Sequence, residues 1–419
     1  MSAKDVGHGF EFHRELTQTL RSMEPDTWNR LQQREKTEPR YGWLRNDALK
    51  TASAILRNDA PEIYRGIDLA CERLGVEEQV TASRAEGIET PSCQVIRVSD
   101  RIDLVLTGDV EELLNSNEFL ALVGRQLGQV HLWQAQEGGV WVAEQILSTT
   151  CQEPNASESW HETLRLHHLY SEIYCDRWAY LAAEDFNAVV ASIQKPSLDD
   201  ALCEPATLLD KANKALGLAE PEATSDMALP DIPALSDIQI RALAVDWWRR
   251  GSEGFDEQLV DLVEGREDLS GLSLLKQGHW QRWTRDALVH LLKPAWRRTR
   301  LTLNHAGLFY SGNDLPDSAQ QSVESLDRQI RSASESMREY ACYLLLDFSM
   351  CDSQMKEVAL AQALEWAKRW GCESLFQEIA RRELRLRKSQ VDALINEAAT
   401  ILAEAERHSF DPANSESKK

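Results

Sequence analysis

Residues 117–130 read NEFLALVGRQLGQV, and they form the most informative part of the chain. Their apolar side chains recur every three or four positions, which predicts a long helix from Glu111 to about Gln134. Two runs before this helix, QVIRV at 94–98 and IDLVL at 102–106, are rich in β-branched residues and predict strands. The sequence therefore predicts an α+β fold that is mostly helical and contains a small sheet.

The composition of the 419-residue chain narrows the classes of function. A formal net charge of −22 repels phosphate, so nucleic acid and anionic membranes are disfavoured as partners. The eight cysteines form no Cys-x-x-Cys pair, which indicates buried thiols in a reducing compartment. Neither a secretory signal nor a run of about 20 apolar residues is evident, so we expect a cytoplasmic protein without membrane association.

Residues 106–130 resemble the zinc-motif helix of the HtpX-like and CAAX-prenyl-protease-like metallopeptidases, peptidase family forty-eight. The motif of that family is H-E-x-x-H, and the aligned pentad of this chain is RQLGQ at 125–129. A second segment, SEIYCDRWA at 171–179, is similar to the family's E-x-x-x-D-R motif, and IRAL at 240–243 resembles the end of the peptidase domain. The resemblance covers roughly residues 45–250, and it implies a metallopeptidase-like domain of the gluzincin type.

The resemblance further implies that a former zinc site is marked by Arg125, Gln126, Gln129, Glu172 and Asp176. Zinc is bound by neutral imidazole, thiolate or carboxylate groups, whereas Arg125 carries a permanent positive charge and Gln129 is a poor donor. Gln126 replaces the glutamate that activates the metal-bound water, and an amide cannot act as that general base. We therefore expect that the zinc cofactor is lost and that the chain has no catalytic residue.

The two acidic positions of the motif survive although both histidines are replaced. Arginine suits bidentate contacts with carboxylates, so we expect Arg125 to form a charge-assisted pair with Glu172, Asp176 or both. Such a pair would join two helices as the ion does in the peptidases. The alternative is that Arg125 points into solvent, as most charged side chains do.

His168 offers a different interpretation of the same region. It lies four residues before Glu172 and therefore on the same face of a helix. The runner-up hypothesis is a metal-dependent hydrolase with a site rebuilt around His168 and Glu172. A hydrogen-bonded or solvated histidine is the more common explanation of such a residue, because no further ligand is evident.

A basic segment at 276–300 is interleaved with tryptophans and leaves three interpretations open. Its arginines could bind phosphates and its aromatic rings could stack on bases, so nucleic-acid binding is a distant alternative. The net charge of −22 favours tryptophans in a core and arginines paired with carboxylates. Between these lies a protein interface, since tryptophan and arginine are frequent anchors of interfaces. The candidate partner-binding residues are Trp280, Trp283, Trp296, Arg297 and Arg298.

Residues 323–405 are predicted to be helical, and this C-terminal part resembles the TerB-like domain of bacterial tellurite-resistance and stress systems. The resemblance is carried by YLLLDF at 343–348 with Asp352 and Glu357. The predicted organisation is, in chain order, a helical extension at 1–40, a degenerate metallopeptidase-like domain at 41–250 with a proline-rich connector at 194–235, a helical bridging segment at 251–305, an all-α C-terminal domain at 320–407 and a disordered tail at 408–419.

These features predict a catalytically inactive pseudopeptidase. We expect it to act as a protein-binding scaffold or regulator in a bacterial cytosolic system, with stress or defence as its setting. The sequence leaves the identity of the protein partner open, and homo-oligomerisation as well.

Overall fold

The structure is a computed structural model, and it describes residues 7–37, 40–41, 52–98, 101–197, 203–216, 235–252, 254–265, 269–310, 316–385 and 388–409. The chain divides into two compact units, Met1–Gly265 and Arg266–Lys419. The first unit contains a small sheet and helices, and the described part of the second is helical. The prediction of a mostly helical α+β protein is therefore confirmed.

The sheet of the first unit has five strands: β1 (Arg40–Tyr41), β2 (Ala52–Ala54), β3 (Gln79–Ala85), β4 (Ser92–Val98) and β5 (Arg101–Thr107). Their order across the sheet is β1-β4-β5-β3-β2. β3 and β5 run parallel, and the other neighbouring strands are antiparallel. The two strands predicted from the sequence are confirmed as β4 and β5.

Within the described residues, the helices of the first unit are α1 (Glu11–Met23), α2 (Pro25–Thr37), α3 (Pro61–Leu74), α4 (Val110–Leu113), α5 (Ser116–Thr150), α6 (Glu158–Ala183), α7 (Phe186–Gln194), α8 (Pro205–Ala215), α9 (Asp237–Arg250) and α10 (Phe255–Glu264). Ile102, Leu104 and Leu106 of β5 are buried in the main core of this unit, together with apolar residues of α3, α5 and α6. The alternation of apolar residues in β5 thus places one face of the sheet against the helices.

Helix α5 starts later than the sequence predicts. The Asn115 side chain accepts hydrogen bonds from the backbone N–H groups of Asn117 and Glu118, and the Glu118 carboxylate accepts one from the Asn115 N–H. This capping box fixes the helix start at Ser116, so the preceding residues form the separate short helix α4. The backbone of α5 leaves helical geometry at 135–138, just after the predicted end at Gln134, and then resumes.

Two glycines let α5 and α6 pack very closely. A Cβ atom at Gly124 would lie 2.5 Å from the Cβ atom of Ala182, and one at Gly128 would lie 2.7 Å from the Cβ atom of Trp178. Both distances are too short for real carbon atoms, so any side chain larger than hydrogen would force the helices apart. The backbone of α5 consequently lies very close to α6 at both positions.

The helices of the second unit are α11 (Leu274–Leu291), α12 (Arg300–Gly307), α13 (Val323–Ser332), α14 (Glu335–Met350), α15 (Lys356–Arg369), α16 (Glu373–Leu384) and α17 (Lys388–Ser409). Its core is rich in aromatic side chains, and the largest fully buried ones are Trp283, Phe348, Trp370 and Phe376. The rings of Trp283 and Trp370 lie 5.2 Å apart. A helical bundle with one apolar core accounts for this arrangement.

The observed division of the chain differs from the predicted domains. The bridging segment at 251–305 is split, because α10 belongs to the first unit and α11 to the second. The predicted extension at 1–40 belongs to the first unit, where Leu16 and Leu20 of α1 are fully buried.

Two further predicted segments fall partly outside the described residues. Within the connector at 194–235, the structure describes α8, whereas 198–202 and 217–234 are not described. The predicted tail at 408–419 is corrected at its start, since α17 continues to Ser409, and its residues from 410 onwards are not described.

Candidate functional site

Arg125 lies opposite the two acidic residues of α6, as the sequence predicts. Its Nη2 atom forms an ion pair with Oε2 of Glu172, and its Nε atom lies 3.8 Å from Oδ1 of Asp176. The predicted pairing of Arg125 with these carboxylates is confirmed, and the alternative that it points into solvent is wrong. Close packing at Gly124 brings the next residue within reach of α6.

A second arginine, Arg241 of α9, completes the cluster and was not predicted as part of it. Its Nε and Nη2 atoms donate to the two carboxylate oxygens of Asp176, each at 2.7 Å. Its Nη1 atom lies 3.0 Å from Oε2 of Glu172. Two guanidinium groups and two carboxylates therefore form one network across α5, α6 and α9, and their formal charges cancel. We call Arg125, Glu172, Asp176 and Arg241 the ionic cluster.

The side chains of the ionic cluster differ in solvent exposure: two are buried and two are partly exposed. The Asp176 side chain is 0% exposed and that of Arg241 9%, whereas those of Arg125 and Glu172 are 20% and 35% exposed. Burial lowers the pKa of Arg125 to about 10, and the neighbouring positive charge of Arg241 acts in the same direction. Arg125 consequently remains charged at neutral pH and can bind the carboxylates.

The two glutamines of the pentad lie in different surroundings. Gln129, at the second histidine position, accepts a hydrogen bond from the Cys175 thiol at 3.2 Å through its Oε1 atom. Burial raises the pKa of Cys175 to about 12, so that thiol stays protonated and able to donate. Gln126 is half-buried, and its amide makes no hydrogen bond within the described ranges. Of the two amides, the one of Gln126 is therefore available to a ligand.

A pocket of about 490 Å³ lies above the ionic cluster. It is bounded by the beginning of β4, by α5, by α6 and by residues near the start of α9, and it contains charged, polar and apolar side chains. Its lining includes Ser92 and Cys93 of β4, Leu122, Arg125 and Gln126 of α5, Leu169 and Glu172 of α6, Ile193 of α7 and Arg241 of α9. Its size is in the range of ligand pockets, roughly 300–1,000 Å³.

The histidines of α6 are divided between this pocket and the core. His168 is exposed and lines the pocket together with Glu172. His167 is buried, and neither of its ring nitrogens has a hydrogen-bond partner among the described residues. It packs edge-on against the buried His13 of α1, whose Nε2 atom lies 3.2 Å from the Ser171 hydroxyl. Burial lowers the pKa of His13 to about 3 and holds that of His167 well below its usual 6.5.

The donor set at the ionic cluster does not fit a zinc ion. Arg125 and Arg241 place their guanidinium groups against Glu172 and Asp176, and zinc is not bound by guanidinium groups. Across the part of the chain that the structure describes, no three histidine, cysteine, aspartate or glutamate side chains come together as a possible metal site.

The candidate partner-binding residues of the second unit require a correction. Trp280 and Trp283 are buried in the core, and the indole N–H of Trp283 donates to the Leu326 carbonyl oxygen at 3.3 Å. Their i, i+3 spacing places both on the inward face of α11, so they cannot stack on bases or anchor a partner. Arg297 is also buried, Trp296 is half-buried, and Arg298 is exposed.

Comparison with protein-family models, with curated proteins and with solved structures produced no match to this chain. None of the described helices has both the length and the apolar character that a membrane crossing requires.

Proposed function

We propose that the first unit is a pseudopeptidase that binds an extended segment of a partner protein in the pocket above the ionic cluster. The observation that carries this proposal is the pairing of Arg125 and Arg241 with Glu172 and Asp176. In the family that the sequence resembles, the corresponding acidic positions serve a zinc ion. Guanidinium groups at this place pair with the carboxylates of α6 but supply neither a Lewis acid nor an activated water.

The pocket supplies three kinds of contact that suit a peptide. Gln126 presents a free amide, which can both donate to and accept from a peptide group. Leu122, Leu169 and Ile193 supply apolar surface for side chains, and Ser92 begins a strand beside them. A segment held here would gain hydrogen bonds and apolar burial without approaching a catalytic group.

Restoring the zinc motif tests the relationship to peptidases. The triple variant Arg125→His, Gln126→Glu, Gln129→His rebuilds H-E-x-x-H, with Glu172 in place as the third ligand. We expect the purified triple variant to bind one equivalent of zinc, measured by metal analysis after dialysis, and the wild type to bind none. Adding Glu172→Gln to the triple variant should abolish this binding.

The outcome for the wild type also separates the alternatives. One equivalent of zinc on the wild type, lost on His168→Ala or Glu172→Gln, would establish the rebuilt hydrolase site instead. Arg241 still contacts Glu172 in the triple variant, so Arg241→Gln is added as a fourth substitution; a folded protein that binds no zinc in either form would contradict the proposed relationship.

Peptide binding is tested by selecting displayed random peptides on the full chain. We expect Gln126→Ala to weaken a selected peptide about tenfold, which corresponds to roughly 1.4 kcal/mol for a lost hydrogen-bonding group. The exposed Gln152, just beyond α5, provides the matched control Gln152→Ala. Equal binding to both variants would place the peptide elsewhere, and cleavage of the bound peptide would refute the pseudopeptidase proposal.

A further inference from the structure

The second unit has a group of exposed apolar side chains on two neighbouring helices. Leu301 and Leu308 lie on or just after α12 and are 56% and 76% exposed. Tyr343 and Met350 of α14 are 37% and 40% exposed. Large apolar side chains are normally exposed singly, so four in one region need an explanation.

A polar pair joins these four side chains into one surface. Nε2 of His305 on α12 lies 2.6 Å from Oδ2 of Asp347 on α14. Leu301 and Leu308 are four residues before and three residues after His305, and Tyr343 and Met350 have the same spacings to Asp347. Side chains three or four positions apart on a helix are neighbours, about 5–6 Å between Cβ atoms. All four apolar side chains therefore surround the His305–Asp347 pair, and we call these six residues the α12–α14 surface.

The rim of the α12–α14 surface is basic at the start of α12. Arg298 and Arg300 are exposed there, and neither forms an ion pair within the described part of the chain. Free arginines are notable in a chain with a formal net charge of −22, where carboxylates are in excess. They would attract an acidic group that approaches this end of the surface.

The size of the surface indicates what can bind to it. With about 200 Å² for each fully exposed side chain of this size, the four exposed fractions correspond to roughly 400 Å². A stable dimer of two copies buries about 800 Å² on each partner, so this surface is too small for one. A single amphipathic helix places apolar residues at i, i+3 or i+4, and i+7, and needs only such a narrow surface.

We propose that the α12–α14 surface is a docking site for an amphipathic helix of a partner protein, with acidic residues at the end that meets Arg298 and Arg300. The four apolar side chains would contact the apolar face of that helix. The His305–Asp347 pair in the middle would orient it through a polar residue. This proposal concerns the second unit and does not depend on the pocket of the first.

Site-specific photo-cross-linking in cells that express the full chain would identify the occupant. A benzophenone amino acid is placed in turn at positions 301, 308 and 350, with position 56 as the control because Leu56 is 61% exposed in the first unit. We expect the three test positions to link to one segment of one protein, with apolar residues at helical spacing and an acidic end. Links to a second copy, to lipid or to another part of the same chain would overturn the proposal, as would no link above the control.

A synthetic peptide of the mapped segment then measures the contribution of each contact. We expect Leu308→Asp to weaken its binding at least tenfold, and the double variant Arg298→Glu, Arg300→Glu to weaken it mainly at low salt. Leu56→Asp should leave the binding unchanged. Leu308 is largely exposed, so its substitution should preserve the fold, and an unchanged circular dichroism spectrum would confirm this. Equal affinity of the wild type and Leu308→Asp would refute the docking site.

Discussion

The ionic cluster of the first unit and the tryptophan core of the second stabilise their units by different means. Asp176 and Arg241 are buried and depend on each other for charge compensation. Trp283 and Trp370 are buried by packing, and their neighbours are mostly apolar. A buried ion pair is costly to desolvate and adds little net stability, whereas apolar packing adds much. We infer that the ionic cluster is present for what it offers to the pocket, and that the tryptophan core is present for stability.

The largest expected effect comes from removing one charge of the ionic cluster without changing its shape. Asp176→Asn should lower the free energy of unfolding of the first unit by about 3–5 kcal/mol, because two guanidinium groups are then left with Glu172 as their one carboxylate partner in the ionic cluster. Hydrogen exchange measured by mass spectrometry on peptides from α6 and from α14 would locate the loss. If both units lost protection from exchange equally, or if α6 lost none, the ionic cluster would not stabilise the first unit in particular.

A change of volume is the corresponding test of the second unit. Trp283→Phe leaves a cavity in the aromatic core and should cost about 1–3 kcal/mol, seen as faster exchange in α14 and not in α6. Tyr343→Phe, which removes a surface hydroxyl that is hydrogen-bonded to the exposed Glu383 and Arg382, is the control and should cost less than about 1 kcal/mol. An effect of Trp283→Phe below that of the control would mean that the core tolerates voids.

Acidification should affect the first unit through its buried histidines. The folded-state pKa of His13, about 3, lies below the usual 6.5, so the unfolded chain binds the proton more readily than the native state. The stability from neutral His13 is thus complete above pH 6.5 and is lost as the pH falls towards 3. Between pH 7.5 and 5.5 the loss should be about 1.4 kcal/mol.

Denaturant unfolding at a series of pH values would measure this loss. His13→Gln should make the pH dependence shallower by that amount, whereas the exposed His161→Gln should leave it as in the wild type. If the free energy of unfolding depended on pH equally in the wild type and in His13→Gln, the attribution of the acid-induced loss to His13 would be wrong.

The smallest expected effect concerns the pair at the centre of the α12–α14 surface. Asp347 is 55% exposed in its side chain, and surface ion pairs contribute little. Asp347→Asn should therefore change the free energy of unfolding by less than about 0.5 kcal/mol. A larger loss would show that the pair stabilises the second unit, which would weaken the case that it serves a partner.

The contact between α5 and α6 in the ionic cluster could be predicted from the sequence. The participation of Arg241 could not. Arg125 and Glu172 could be paired because the resemblance to the zinc motif implies that both lie at the former metal site, and their charges are complementary. Arg241 lies 65 residues beyond Asp176 in the chain, past the proline-rich connector, and local spacing does not reveal such a contact. A signal was present nonetheless. Arg241 lies within the apolar run 240–245, and a charged residue buried in such a run needs a partner.

The basic segment at 276–300 was harder to interpret, because a helix with a buried tryptophan face and a helix that binds through tryptophans and arginines have the same composition. Trp280 and Trp283 share a face of α11 that points into the core, while arginines occupy the other faces. Composition alone does not distinguish this from an aromatic binding surface. The predicted domain end at residue 250 rested on the resemblance of residues 240–243 to the end of the peptidase domain. α10 lies beyond that end, yet the Tyr170 hydroxyl of α6 donates to Glu264 of α10 at 3.0 Å.

The absence of side chains at Gly124 and Gly128 has a consequence for how this protein can change. Gly124 lets the backbone of α5 approach the backbone of α6, and Gly128 makes room for the Trp178 side chain, so the close packing at these two positions does not involve the charged groups between the helices. Residues 125, 126 and 129 can accordingly be exchanged in sets, provided that each set balances its charge, while the helices keep their distance. We therefore expect Gly124 and Gly128 to keep the distance between α5 and α6 constant while the side chains at 125, 126 and 129 change.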